Sequence, residues 1–165
     1  MEKSNENRLI CNRCEEAVLE DDEFCPNCGI IFTENVFCTQ HSRQLAEGVC
    51  VICTEAFCGR CGERVNDIFL CNRHQGYEIY QGMARVFGEN DMSTVEYARK
   101  CLHENGLHPF IYNRKANPTS LGSTDYTLFR AAGGYDGQII NEVKLMVPCQ
   151  EVLVAENLLR NLNIL

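Results

Sequence analysis

The second half of the chain carries the apolar periodicities of ordinary secondary structure. A stripe at helical spacing predicts a helix from Ser93 to about Asn105, which Gly106 would end. Glu96, three residues after Ser93, completes the pattern of a capping box at the helix start. The stripe itself consists of three apolar residues: Val95, Ala98 and Leu102.

Strand patterns lie on both sides of this helix. Mixed β-branched and aromatic residues predict one strand or a bent pair over Tyr77–Phe87, and another strand over Leu107–Arg114. Alternating apolar residues predict a third strand over Ile139–Val147, and Pro148 would start a final helix. A sheet with both helices on one face would bury these positions, so this half is predicted to be a mixed domain of helices and strands.

A long connection interrupts the pattern before the third strand. Lys115–Gln138 is rich in Gly and polar residues, and only Tyr126–Arg130 has the character of a short strand. Loops beyond about 12–15 residues are usually functional or disordered. We therefore expect residues 116–137 to form part of a contact surface for a partner.

The first half is organised by cysteine rather than by apolar periodicity. It holds ten of the twelve cysteines, and with two histidines they form pairs separated by two residues. Zinc takes four Cys or His ligands tetrahedrally, so twelve such ligands predict three zinc ions. Histidines at ligand positions argue against a disulfide framework. The pairs are Cys11/Cys14, Cys25/Cys28, Cys38/His41, Cys50/Cys53, Cys58/Cys61 and Cys71/His74.

The first two pairs predict one four-cysteine site within residues 9–34. Ten residues separate Cys14 from Cys25, and Gly29 follows the last ligand, where a turn with positive φ suits glycine. This segment resembles a small zinc ribbon. Modules of this size rarely fold without a metal or disulfides, so the zinc is expected to be structural.

The other four pairs lie within residues 35–76, and their spacing leaves two arrangements open. Zinc could be bound by consecutive pairs, as in two ribbons, or by alternate pairs, as in a cross-brace. The order of the pairs, with only Thr54–Phe57 between the middle two, resembles a prokaryotic B-box zinc finger. The resemblance implies the cross-brace and two mixed sites, each with three cysteines and one histidine. One would contain Cys38, His41, Cys58 and Cys61, and the other Cys50, Cys53, Cys71 and His74.

Between the third and fourth of these pairs, Glu63–Leu70 predicts a hairpin that turns at Asn66 and Asp67.

Residues 77–165 resemble a family of prokaryotic signal-transducing proteins. That resemblance rests on the runs Ala84–Phe87, Glu96–Ala98, Glu104–Leu107 and Val143–Pro148. It implies a ferredoxin-like α/β fold and a regulatory role, and it supplies no catalytic residue. The expected class is therefore α+β, with two zinc-stabilised modules followed by a ferredoxin-like domain.

Charge narrows the range of partners. The net charge is −8, and residues 1–37 contribute −6 of it, from three basic and nine acidic side chains. Six carboxylates between the first two pairs would repel phosphate, and no basic stripe is present, so we expect no nucleic-acid partner. No run reaches the roughly 18 apolar residues of a membrane span. Polar residues at Met1–Leu9 indicate no leader, so a cytoplasmic location is expected.

Other residues with reactive side chains are better explained as structural. Cys149 lies at a predicted helix start, where a thiol pKa can be lowered, but a small residue at a helix entry is the favoured interpretation. Cys101 is expected to be a buried apolar residue, and His103 and His108 surface residues. The chain is therefore predicted to be a non-enzymatic zinc-binding adaptor in prokaryotic signalling that binds other proteins. Two alternatives are a nucleic-acid-binding zinc ribbon and a ubiquitin-ligase-like component, although the ligand order is not that of a RING.

Overall fold

A computed structural model of the chain describes residues 8–113 and 142–165. The predicted contact loop over 116–137 and the predicted strand Tyr126–Arg130 lie outside the described residues. The chain divides into two compact units. The first comprises Met1–Ala84 with Cys149–Leu153, and the second comprises Arg85–Pro148 with Val154–Leu165. The fold combines short helices with antiparallel sheets, which confirms the α+β class.

The first unit contains three antiparallel pairs of short strands. The hairpin predicted over Glu63–Leu70 is confirmed, and its turn is at Asn66 and Asp67, as expected. Both turn residues have positive φ, 49° and 65°, which is the signature of a two-residue type I′ turn. The strands are β1 (Arg8–Ile10) with β2 (Ala17–Leu19), β3 (Gly48–Val49) with β4 (Ala56–Phe57), and β5 (Gly62–Val65) with β6 (Ile68–Cys71).

Phe69 is the central apolar side chain of this unit, and it is only 1% exposed. A Cβ atom at Gly48 would lie 2.4 Å from the Phe69 ring, and one at Gly62 would lie 2.8 Å from it. Glycine is needed at both positions because any larger residue would displace the ring. The Arg64 guanidinium lies 5.7 Å from the ring centroid.

A hairpin spans the boundary of the two units in sequence. Its strands are β7 (Ile79–Tyr80) and β8 (Met83–Glu89), joined by a turn with positive φ at Gln81 and Gly82. Of the two alternatives predicted over Tyr77–Phe87, one strand or a bent pair, the structure has the pair.

The helix α1 extends over Met92–Glu104, close to its predicted bounds, but the capping-box prediction was wrong. The N-cap is Asp91, whose carboxylate accepts hydrogen bonds from the Ser93 N–H at 3.0 Å and from the Thr94 hydroxyl at 2.9 Å. An aspartate two residues earlier satisfies the free amides of the first turn, so Ser93 lies inside the helix. Gly106 has φ +79° and ends the helix as expected.

The remaining elements complete a four-stranded sheet. They are β9 (Phe110–Asn113), β10 (Val143–Pro148), a 3-10 turn (Cys149–Glu151) and α2 (Val152–Asn161). The strand order is β7-β8-β10-β9, and β9 and β10 are antiparallel. The final helix was predicted to start at Pro148, and this prediction was wrong. That proline ends β10, and α2 begins at Val152. The core of the second unit is formed by Val86, Val95, Ala98, Leu102, Val143, Leu145, Val147, Ala155 and Leu159. None of the described helices is long and apolar enough to cross a membrane.

Candidate metal centres

The twelve predicted ligands form three clusters of four. The first is a four-cysteine cluster, and the other two are mixed clusters of three cysteines and one histidine. Within each cluster the potential ligand atoms all lie within 4.8 Å of one another. The clusters are Cys11, Cys14, Cys25 and Cys28; Cys38, His41, Cys58 and Cys61; and Cys50, Cys53, Cys71 and His74. The second and third clusters therefore combine alternate pairs of the sequence, which is the cross-brace arrangement.

The four-cysteine cluster is formed by two turns, Cys11–Cys14 and Cys25–Cys28. The Sγ atoms of Cys11 and Cys28 are 3.8 Å apart, and those of Cys14 and Cys25 are 3.5 Å apart. Two sulfurs bound tetrahedrally to zinc at about 2.3 Å are about 3.8 Å apart, so the spacing fits the ion. Val18 and Ile30 pack against these thiols and complete a small core.

In the second cluster, His41 directs its Nδ1 atom toward three sulfurs. The Nδ1 atom lies 3.7 Å from the Sγ of Cys38, 3.5 Å from that of Cys58 and 3.3 Å from that of Cys61. A zinc-bound nitrogen and sulfur are separated by about 3.6 Å, so this donor set also fits zinc.

The third cluster is built in the same way around His74, which is buried. Its Nδ1 atom lies 3.4 Å from the Sγ of Cys50 and 3.2 Å from that of Cys71. The Tyr77 ring packs edge-on against the imidazole, with 5.8 Å between the ring centroids, and helps to fix its orientation.

Backbone hydrogen bonds shape the turns that present the ligands. Within the third pair of the sequence, the His41 N–H donates to the Cys38 carbonyl at 3.1 Å, and similar bonds close the turns at Cys58/Cys61 and Cys71/His74. A turn closed in this way directs both of its ligand side chains to one point. The local sequence therefore specifies six ligand pairs, and the tertiary fold decides which pairs meet.

The thiols of the four-cysteine cluster differ in acidity. Burial opposes ionisation of Cys11, but backbone N–H groups of Cys14 and Arg13 lower its pKa to about 7. Burial instead raises the pKa of Cys25 above its ordinary value. One thiol in this cluster is therefore ready to bind a cation near neutral pH, and metal binding would displace the protons of the others.

The same asymmetry occurs in the two mixed clusters. Although burial opposes it, backbone N–H groups of Cys58 and Gln40 lower the pKa of Cys38 to about 6. In the third cluster, contact with Cys53 lowers the pKa of Cys50 to about 4, and that contact raises the pKa of Cys53.

Three further residues contact residues of the clusters and were not predicted from the sequence. Gln40 places its Oε1 atom 3.1 Å from the Cys61 sulfur. Arg64 donates to the carbonyl oxygen of Cys28 at 3.0 Å. Arg73 contacts Cys71, and the thiolate raises the arginine pKa. Gln40 and Arg73 each lie between the two ligands of a C-x2-H pair, so their positions in the sequence could have indicated them. Nothing in the local sequence indicates Arg64.

The other candidate residues lie outside the clusters. Cys149 is 2% exposed, and burial raises its pKa to about 11, which disfavours a reactive thiolate. Cys101 is only partly buried, whereas full burial was expected. His103 and His108 are both exposed, as expected.

No family model matches the chain, and no curated protein or solved structure is significantly similar to it. Interpretation of the three clusters therefore rests on their geometry and chemistry.

Proposed function

We propose that this protein is a non-enzymatic zinc-binding adaptor that acts by binding other proteins in prokaryotic signalling. The observation that carries the proposal is the completeness of the three clusters. Each offers four protein ligands, and a tetrahedral zinc with four protein ligands has no open position for a substrate. Such sites stabilise a fold rather than carry out a reaction.

The surface of the first unit supports a binding role. Several apolar side chains that a core would normally contain are exposed there. They are Leu9, Ile10, Leu19, Phe32, Phe37 and Leu45. A rigid metal-bound scaffold with exposed apolar side chains is well suited to docking.

For the second unit we propose the ferredoxin-like fold and a regulatory role. The elements β8, α1, β9, β10 and α2 follow one another in the order β-α-β-β-α, which is the beginning of that fold's pattern. The strand order β8-β10-β9 supports this assignment. A cytoplasmic location is consistent with twelve free cysteines, since thiols persist in reducing compartments.

Two measurements test the adaptor function together. Metal analysis of the full-length chain, purified without added zinc, should give three zinc ions per chain. Affinity capture from the native cell should then recover a partner in a stable, stoichiometric complex with the zinc-loaded protein. Protein stripped of metal by a chelator should lose that partner.

A matched control keeps the comparison specific. The variant Glu34→Gln changes an exposed side chain that belongs to none of the clusters, and it should bind zinc and partner like the natural protein. A zinc content near zero, or undiminished capture after chelation, would refute the proposal. Turnover of a captured molecule by the chain would instead favour an enzyme.

A further inference from the structure

Among the described residues, the strand β1 pairs along one edge only. β1 pairs with β2 on one side only, because the two strands form a sheet by themselves. Within residues 8–113 and 142–165, no backbone hydrogen bond reaches the other edge of β1. Exposed strand edges are templates for pairing with another chain.

The register shows which groups this edge presents. The Cys11 N–H donates to the Glu16 carbonyl at 2.9 Å, so that pair is hydrogen-bonded. Hydrogen-bonded and non-hydrogen-bonded pairs alternate along an antiparallel ladder. The next residue, Ile10, therefore points its N–H and C=O away from β2, those of Leu9 point toward β2, and those of Arg8 point away again.

One face of the same hairpin is exposed and mostly apolar, and Arg8 lies at its end, opposite Leu19. Ile10 and Leu19 are 69% and 44% exposed, and with Ala17 they lie on the exposed side of the hairpin, whereas Val18 is buried. An added strand would extend this face and cover part of it. Edge and face together offer backbone hydrogen bonds and apolar contact to one extended segment.

Charge around the hairpin selects the kind of segment. Glu15, Glu16, Asp21 and Glu23 are exposed, and none of them forms an ion pair with another described residue. The Asp22 carboxylate instead accepts a hydrogen bond from the Leu19 N–H at 2.8 Å. These four carboxylates outnumber Arg8, the exposed cation of β1, so the hairpin carries a net negative charge, which favours a cationic partner.

We propose that the outer edge of β1 binds an extended, basic segment of a partner protein by strand addition. The inference rests on the proposed adaptor function and names the partner chemistry for one surface. A second copy of this chain fits less well, because its own carboxylates would meet these. Nucleic acid would be repelled for the same reason.

The test uses the zinc-loaded, full-length chain and a defined probe, a peptide of alternating Lys and Val. In NMR titration the probe should shift the amides of Arg8 and Ile10, and an alternating Glu and Val peptide should not. Ile10→Pro removes the outward N–H without breaking a β1–β2 hydrogen bond, so probe affinity should fall about tenfold or more. Ile10→Ala keeps that N–H and should lose less.

A charge comparison provides a second measure. Glu15→Gln, Glu16→Gln and Glu23→Gln together should weaken binding of the Lys–Val probe and reduce its salt dependence. Three matched substitutions elsewhere in the unit, Glu34→Gln, Glu47→Gln and Glu63→Gln, change net charge equally and should leave binding almost unchanged. If the Ile10→Pro variant fails to retain three zinc ions, the comparison of the two triple variants tests the proposal instead.

Several outcomes would overturn the inference. Unchanged affinity in a zinc-loaded Ile10→Pro variant would exclude the edge, and equal loss in both triple variants would exclude the local charges. Self-association that Ile10→Pro abolishes would identify a second copy as the occupant instead. If the Ile10→Pro variant captures the cellular partner at full strength, the outer edge of β1 is not the binding surface. The proposed adaptor function would still hold.

Discussion

The backbone N–H of Val49 donates to the carbonyl oxygen of Gly29 at 2.9 Å. Gly29 follows the last ligand of the four-cysteine cluster, and Val49 precedes Cys50, a ligand of the third cluster. The neighbouring carbonyl of Cys28 accepts from the Phe69 N–H at 3.1 Å. The four-cysteine cluster and the third cluster are therefore joined by backbone hydrogen bonds next to their ligands, and the segments that carry them pack together.

This junction predicts a large effect of Gly29→Ala. Gly29 has φ +71°, and a Cβ atom there would lie 2.1 Å from the Val49 carbonyl oxygen. Backbone strain and the clash should lower the free energy of unfolding by at least about 2 kcal/mol. Unfolding by denaturant measures this change in the free energy of unfolding. Gly76→Ala is the control, because a Cβ at Gly76 meets no atom within 4 Å. Equal stability of the two variants would contradict the junction.

Ligand sharing predicts which histidine responds to Cys58→Ala. Cys58 lies in the cluster of His41, so the variant should bind two zinc ions, and the His41 ring should lose its metal-induced NMR shift. His74 should keep its shift, since its own cluster is intact. Cys71→Ala is the reciprocal control and should affect His74. A response of His74 alone to Cys58→Ala would mean that consecutive pairs bind zinc.

The cap of α1 predicts a titration at low pH. Hydrogen bonds from the Ser93 N–H and the Thr94 hydroxyl lower the Asp91 pKa below its usual 3.8. Because the Asp91 pKa is lowered by folding, the cap stabilises the helix fully at pH values above the pKa of the unfolded chain. This stabilisation is lost as the pH falls through the pKa of the folded protein. The Ser93 amide shift should therefore titrate with a midpoint below 3.8. Asp91→Asn should abolish the titration, and a midpoint at or above the usual value would contradict the cap.

The two cysteines outside the clusters should differ in alkylation. Cys149 is buried and its pKa is raised to about 11, whereas Cys101 is partly accessible. Brief treatment of the zinc-loaded protein with iodoacetamide should therefore label Cys101 first, as read by peptide mass spectrometry. Cys101→Ser should leave the native protein almost unlabelled. Prompt modification of Cys149 would show that the thiol is exposed in solution.

The spacing of the pairs identified the residues that cluster but left their grouping open, for a physical reason. A two-residue spacing is local, because one turn presents both side chains, so all six pairs could be recognised. Whether Cys38 meets Cys50 or Cys58 depends on the tertiary fold, and spacing carries no such information. The arrangement followed only from a resemblance.

Element ends were predicted less well than the elements themselves. Ser93 matched a capping motif, yet Asp91 is also a strong N-cap residue and lies where the chain leaves β8. Pro148 suits the first turn of a helix as well as the end of a strand, and the hydrogen bond from the Cys149 N–H to the Gly82 carbonyl favours the strand. Such choices between two favourable local states are settled by tertiary contacts.

The interleaving of the two mixed clusters has a consequence for the rate at which the chain folds. Only four residues separate Cys53 from Cys58, whereas 16 separate His41 from Cys58. Closing the shorter loop is entropically easier by about 1 kcal/mol. An incoming ion should therefore be captured first by the two middle pairs, a set of four cysteines drawn from both final clusters. Reaching the native state then requires that ion to exchange two thiolates for a distant pair, so refolding should slow when zinc is supplied in excess.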